Sequence, residues 1–484
     1  MKACEEISET RQIRPGLGLV WDYDKNGGRA QGPGSRDRKS SEAGVWCKPR
    51  ESFLSPEYAA RYSSAHRPVR AISTMIVPSM PGDNPSSTSL ARRDLFRAGA
   101  MAMTAASYSR VLGANDKINL GVVGCGGRGS YDMSVFQKNE SVSVKAVCDI
   151  FGDRVDSARS KAPEAQGFKD HRKLLEMKEL DAVLVATPDH WHTGVAIDAL
   201  NAGKDVYCEK PLTLKIEQGP KIVKAARVNN RICQVGMQQR SGPHYIQARD
   251  EYIQAGKLGK ITLARTWWHA NGAHLRRAPA SMAEKPSNLD WARFLGPVKW
   301  RDWDPQQFWN FRAYLDFGGG QVTDLFTHWI DVVHMFMKQD NPISAVAAGG
   351  IYQYKDGRTA PDTINVLLEY PEEWNATFEA TLAPGATGAA LEMCGTEGRL
   401  WISRSYFEFT PAGKGAQPTI VKSHRDQTID HVENFLDCMR TRKLPNGDVY
   451  IGHRSAQASH LGNIAYEQKR RIKFDPQREE IQPL

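Results

Sequence analysis

The sequence predicts an α/β protein: a doubly wound parallel sheet followed by an α+β domain with a mostly antiparallel open sheet. Three observations carry this expectation. From Lys117 onward, short β-branched apolar runs alternate with amphipathic stretches of helical length. Beyond about residue 240, strand-like segments follow one another closely, as hairpins require. The chain has 484 residues, enough for two or three domains with sizeable cores.

Taken in order, residues 1–91 show no helical or strand period and are rich in Arg, Ser, Gly and Pro, as in "GGRAQGPGSRDRKSSEAG". Such a segment buries too little apolar surface to offset its ordering entropy. It reads as a disordered leader or a mis-assigned start, with Met75 or Met80 as the expected true start. Residues 92–114 open with "RRDLFRAGAMAMTAA", which resembles a twin-arginine export signal. The expected address is therefore periplasmic or exported, with the cytoplasm as the alternative. Residues 115–240 form the first folded domain. Its predicted strands are "KINLGVVG", "SVSVKAVCD", "DAVLVAT", "DVYCE" and "RICQVG", nearly continuous apolar runs suited to a buried parallel sheet. Helices are predicted over Arg128–Gln137, Gly152–Lys161, His190–Ala202 and Lys215–Asn229. Residues 241–484 form the second domain. It starts with a helix over His244–Ala255, a strand at "KITLARTWWHA", a Trp-rich connection and a helix over Gln321–Met337. Strands at "SAVAAGGIYQY", "DTINVLLEY", "NATFEATLA", "GAALEMCG" and "RLWISR" come next, then helices over Asp430–Arg442 and Ile451–Gln468.

Composition narrows the function classes. The net charge of +9 is scattered rather than gathered in a block, so nucleic acid is not an expected partner, while an anionic substrate is compatible. No apolar run approaches the roughly 20 residues of a spanning helix. The eight cysteines include no CxxC pair, and Cys125, Cys148, Cys208 and Cys233 fall in or at the ends of predicted core strands, where they act as small hydrophobes.

"GVVGCGGRG" places Gly124-x-Gly126-x-x-Gly129 between a strand and a helix, with Cys125, Gly127 and Arg128 completing the turn. This is the dinucleotide-binding arrangement of a Rossmann domain. Gly124 permits the tight turn, Gly126 lets backbone approach a pyrophosphate, and Gly129 lets the helix pack on the sheet. Asp149, ending the second strand, is placed to hold a ribose 2′-hydroxyl and to repel a 2′-phosphate, which favours NAD; Arg154 keeps NADP open.

Four further segments, "ATPDHWH", "CEKPL", "QVGMQQRSGPH" and "GGGQVTDLFTHWID", carry a resemblance to the Gfo/Idh/MocA family over roughly residues 115–475. The resemblance implies that Lys210 contacts substrate and cofactor and that Asp324 and His328 supply the other catalytic groups. It also implies cofactor contacts from Thr187, Pro188, His190, His192, Glu209 and Gln238. Asp324 and His328 are four apart and so share a helix face, while Leu325, Trp329, Val332 and Phe336 form a separate apolar stripe. The H-x-H of His190 and His192 opens a helix rather than lying on a strand, with Asp189 as its cap, so no metal is expected. Six of the twelve tryptophans fall between residues 267 and 309. Most read as structural; Trp309, Arg312, Arg240 and His244 are the candidates for substrate contact.

The expected activity is NAD(P)-dependent hydride transfer to or from a CH–OH carbon of a sugar, cyclitol or related polyol. His328 is the first choice of base and Lys210 the alternative. A homo-oligomer is expected, and an exported enzyme would need to retain its nucleotide through turnover. The competing classes are a glycoside-cleaving enzyme using transient oxidation and elimination, and a non-catalytic nucleotide-binding relative.

Overall fold

The first folded elements follow the predicted alternation. They are β1 (Ile118–Val123), α1 (Gly127–Phe136), β2 (Val142–Cys148), α2 (Gly152–Lys161), β3 (Gln166–Phe168), α3 (His171–Leu175), β4 (Ala182–Val185), α4 (Asp189–Asn201), β5 (Asp205–Glu209), α5 (Gly219–Val228) and β6 (Cys233–Gly236). A computed structural model describes residues 117–483; the leader and the arginine-pair segment lie outside the described residues. The six strands are parallel in the order β3-β2-β1-β4-β5-β6, so the order reverses between β1 and β4. Register sets what happens at that reversal. Val123 pairs with Cys148 and Val185, and Val185 with Cys208. The strands therefore end together, and Gly124, Asp149, Thr187 and Lys210 emerge side by side at their carboxyl ends.

The second sheet is built from β7 (Ile261–Trp268), β8 (Ser344–Gly350), β9 (Thr363–Glu369), β10 (Asn375–Thr381), β11 (Ala389–Gly395), β12 (Gly398–Ile402), β13 (Tyr406–Pro411), β14 (Thr419–Lys422), β15 (Ile472–Asp475) and β16 (Glu480–Ile481). Its order is β14-β13-β12-β11-β7-β10-β9-β8-β15-β16, antiparallel except where β10 runs parallel to β7. The helices around it are α6 (Pro243–Ala248), α7 (Trp291–Leu295), α8 (Pro305–Trp309), α9 (Thr327–Met337), α10 (Gln427–Thr441) and α11 (Val449–Gln468). Leu325, Trp329, Val332 and Phe336 are all buried in the core under this sheet, as their spacing predicts. The Trp-rich connection has a core of its own: Trp291 stacks on Phe294 at 5.0 Å and meets Trp303 edge-on, with Phe308 and Phe317 beside them.

Several features depart from the sequence reading, among them β3, α3 and β13 to β16, which no predicted segment covers, and a π-helical turn, Arg249–Ile253, that ends the predicted helix His244–Ala255. The predicted helix Gln321–Met337 begins with a π-helical turn, Val322–Phe326, before α9. The carboxy-terminal helix α10 packs on the first domain: Val432, Phe435 and Met439 join the core of Phe136 and Tyr207, and Arg442 Nη1 donates to Asp205 Oδ2 at 2.6 Å. Periodicity gives the apolar face of α10 but not the surface that face covers.

Candidate active site

The glycine turn is built by exclusion. Gly124 has φ +92°, and a Cβ there would lie 2.5 Å from the Ala186 carbonyl oxygen. A Cβ on Gly129 would lie 1.8 Å from the Gly124 oxygen, which is how closely α1 packs on β1. Gly127 has open space where a side chain would be, and no side chain caps α1. The first N–H groups of the helix thus face the cleft bare, as an anionic pyrophosphate requires. Asp149 locks the turn: its Oδ2 accepts from the Cys125 N–H at 2.8 Å and its Oδ1 from the Phe151 N–H at 3.0 Å. These residues fit a dinucleotide.

The cleft encloses about 500 Å³ and runs from this turn to the second domain. Lys210, the residue after β5, crosses it: Nζ donates to Asp324 Oδ1 at 2.5 Å and to the Asp324 carbonyl at 2.8 Å. Asp324 is a hub, because its Oδ2 also meets His274 Nε2 at 2.9 Å and Arg312 Nε at 3.3 Å. Burial alone would raise the Asp324 carboxyl, but Lys210 and Arg312 outweigh it and hold the group well below the usual carboxylate range. Glu209 behaves alike. It is buried, accepts from Arg128 at 2.9 Å and from Gln238 at 2.7 Å, and is held low by Arg128 and Lys210 against burial.

His328 lines the same cleft one turn beyond Asp324. The π-helical turn carries Asp324 and α9 carries His328; π turns often occur at functional sites. Burial pushes the His328 imidazole well below its ordinary value, and the charges of Lys210 and Arg404 push it further, so the ring is neutral. Its Nδ1 is buried without a hydrogen-bond partner among the described residues. Trp268 lies against it at 5.8 Å between ring centroids.

Of the residues singled out from sequence, Gly124, Gly126, Gly127, Arg128, Asp149, Arg154, Thr187, Pro188, His192, Glu209, Lys210, Gln238, Trp309, Arg312, Asp324 and His328 line the cleft. Cys125, Gly129, His190, Arg240 and His244 do not. Cys125 gives the turn only its N–H, and Gly129 only its clearance. His190 turns its Nε2 to the Phe294 carbonyl at 2.7 Å and fixes α7. Arg240 pairs with Asp331, Nε to Oδ1 at 3.0 Å, beside a separate cavity. The reason is the tight turn Gln238–Ser241, which steps side chains by about a third of a revolution; Gln238 and Gln239 face the cleft and Arg240 leaves it. His244 bonds the Ser403 carbonyl at 3.0 Å. Asp189 is the first residue of α4 rather than its cap, which is Pro188. Its carboxyl lines the cleft and burial raises it. Both ring nitrogens of His192 meet backbone carbonyls, of Pro211 at 2.7 Å and Thr187 at 2.8 Å.

Sequence reasoning missed His274, Trp268, Arg276 and Arg404. His274 ends a three-residue 3-10 turn, Gly272–His274, Trp268 ends β7, and Arg276 and Arg404 lie in loops, where no periodicity marks a side chain as facing a site.

Comparison with known proteins follows this geometry. Residues 118–237 match a family profile described as oxidoreductase family, NAD-binding Rossmann fold, and residues 268–483 match one described as oxidoreductase family, C-terminal alpha/beta domain. A scyllo-inositol 2-dehydrogenase (NAD(+)) of Bacillus subtilis is 32% identical over 341 residues, 68% of this chain and 88% of that protein. The chain belongs to the Gfo/Idh/MocA oxidoreductase family. The inositol 2-dehydrogenase of Salmonella typhimurium is 34% identical over 146 residues, 30% of this chain; that match spans only 43% of the relative. A levoglucosan dehydrogenase in complex with NADH and levoglucosan superposes with a TM-score of 0.59 at 18% identity, over 74% of this chain and 99% of that one. An aldose-aldose oxidoreductase from Caulobacter crescentus complexed with glycerol gives 0.59 at 17% identity, over 74% and 100%. Likeness at that identity establishes the fold.

Proposed function

We propose that this family member is an NAD(P)-dependent oxidoreductase acting on a CH–OH group of a sugar, cyclitol or related polyol, with NAD preferred. One observation carries the reading: Lys210 at the end of a Rossmann strand bonds Asp324 of the second domain, in the cleft that holds both the bare glycine turn and neutral His328. The inositol dehydrogenase relatives support the substrate class. The bound nicotinamide supplies hydride acceptance. The backbone of Gly126 and Gly127 holds the pyrophosphate, and Asp149 orients the adenosine ribose. Lys210 donates to the reacting oxygen and stabilises its developing charge. His328, neutral and lining the cleft, takes the hydroxyl proton. The resulting imidazolium is disfavoured by Lys210 and Arg404 and favoured by the Asp324 carboxylate, so the same field helps His328 release the proton after each turnover. Asp324 is a positioning residue that fixes Lys210.

The proposal includes retention of the nucleotide through turnover and export of the folded, loaded enzyme; its support is the order of "RRDLFRAGAMAMTAA" and "GVVGCGGRG" along the chain. Desalted protein should then release NAD on denaturation. Protein that desalts empty removes the retention clause. The activity is tested by following the absorbance of the bound and the added nicotinamide, in single turnover and at steady state, across a panel of cyclitols and sugars. No oxidation of any member by either NAD or NADP defeats the reading.

A further inference from the structure

We propose that the substrate carries an oxyanion, a carboxylate or a phosphate, and that Arg404 binds it at the His328 end of the cleft. This inference rests on the dehydrogenase reading of the cleft and names its substrate class. Arg404 sits in the short turn between β12 and β13 and its side chain lines the cleft with Trp268, Lys210 and His328. Its guanidinium carbon lies 4.9 Å from the Trp268 ring centroid, and the same indole meets His328. A flat cation stacked on an indole keeps its N–H edge free to grip an oxyanion by two parallel hydrogen bonds.

The surroundings give Arg404 no carboxylate of its own. Among the described residues, Arg128, Lys210 and Arg312 in this cleft each have an acidic partner within ion-pair distance, and Arg404 has none. Loss of water within the cleft pulls the guanidinium below its ordinary range and Arg128 adds to the effect, while Tyr245, Asp426 and Glu209 act against it without pairing with the guanidinium. Arg276 across the cleft is pulled down in the same sense by burial and by Arg312. Over the whole cleft Lys and Arg outnumber Asp and Glu; a dinucleotide pyrophosphate would answer part of that excess at the glycine turn, and an oxyanion on the substrate would answer Arg404. The turn is also braced. Gln427 Nε2 donates to the Arg404 carbonyl at 2.9 Å, and His244 holds the Ser403 carbonyl at 3.0 Å. Arg404 is itself exposed at the cleft wall, and a recognition group gains from a backbone that is fixed before its ligand arrives.

The test is calorimetric binding to the full chain in the presence of NADH. The probes are D-glucuronate, D-galacturonate and glucose 6-phosphate, beside neutral D-glucose and D-galactose. At least one anionic probe should bind ten- to a hundredfold more tightly than its neutral parent, the range of a charge-assisted hydrogen-bond pair. R404Q should remove that preference and R404K restore part of it. The uronate and phosphate arms distinguish the two oxyanions. Equal binding of every anionic probe and its parent overturns the proposal, as does a preference that survives R404Q. A tenfold loss of NADH affinity in R404Q also overturns it, because the arginine would then serve the cofactor pyrophosphate. Hydride transfer measured in parallel separates the two ideas. Arg404-dependent binding of an acid that is never oxidised refutes the dehydrogenase reading and upholds this inference. Oxidation of neutral sugars without an anionic preference does the reverse.

Discussion

Replacing Asp324 by Asn keeps the size of the side chain and removes its charge. In the folded protein that carboxylate faces Lys210 Nζ at 2.5 Å, His274 Nε2 at 2.9 Å and Arg312 Nε at 3.3 Å, and Asp324 itself is only 5% exposed. Breaking a buried ion pair from one side costs roughly 3–5 kcal/mol, because the cation left behind stays desolvated. The Asn oxygen still accepts from Lys210, so about 3 kcal/mol of stability should be lost, read as a lower urea midpoint at unchanged slope. The chemical effect is separate. Lys210 keeps only neutral acceptors, the Asn oxygen and the residue-324 carbonyl, in place of a charged anchor, and His328 loses a negative charge that favours its protonation. The rate constant should fall roughly a hundredfold or more, within the usual range for a misplaced acid–base group. Removing a negative charge lowers a histidine pKa, so the acidic limb of the kcat/KM profile should also move to lower pH. Unfolding titrations and a pH–rate profile of D324N check all three. A variant within tenfold of wild-type kcat, with its midpoint and acidic limb unmoved, would refute the hub.

Three other outcomes are expected. D149A should weaken NAD more than NADP, since the carboxylate favours a free 2′-hydroxyl and also locks the Cys125 N–H; calorimetry showing unchanged NAD affinity contradicts this. H328A should lower single-turnover hydride transfer by roughly two to four orders of magnitude while nucleotide still binds; collapse of nucleotide binding would make the residue structural. Stability should fall in mild acid. Burial lowers His190, His431 and His460 to about 4, so the unfolded chain binds these protons first, and their contribution, full above about 6.5, is lost as pH falls toward 4. Each gives a slope of about 1.4 kcal/mol per pH unit, and Asp331, raised by burial to about 6, opposes with one such slope. Urea unfolding near pH 5 should show a clearly lower midpoint than at neutrality; equal or greater stability would contradict the assignment.

Five of the six parallel strands were legible because they read as nearly unbroken apolar runs, whereas the short, mostly exposed β3 carries no such run; the predicted and observed limits of α2 coincide. The glycine turn was legible because clearance has a residue type. Lys210, Asp324 and His328 were legible through the family resemblance, and helical spacing explained why the last two can share a cleft. What was hidden depends on partners distant in sequence. His274 meets Asp324 from fifty residues away, at the end of a three-residue turn too short to show a period. Arg240 looked well placed after β6, but one step of a tight turn sent it to Asp331. The π-helical turn under Asp324 adds backbone register without a residue signature. The tryptophans were read in the right sense overall, yet Trp268, which packs on His328, stands at a strand end where sheet packing and ligand contact look alike in sequence.

The central claim is that Lys210 and Asp324 join two domains into one hydride-transfer site. The direct measurement is nicotinamide reduction by the full chain across cyclitols, neutral sugars and sugar acids, repeated with K210A at saturating nucleotide. The account predicts that at least one polyol is oxidised, and that K210A loses two or more orders of magnitude in kcat/KM while still binding NAD. Oxidation that proceeds undiminished in K210A would contradict it.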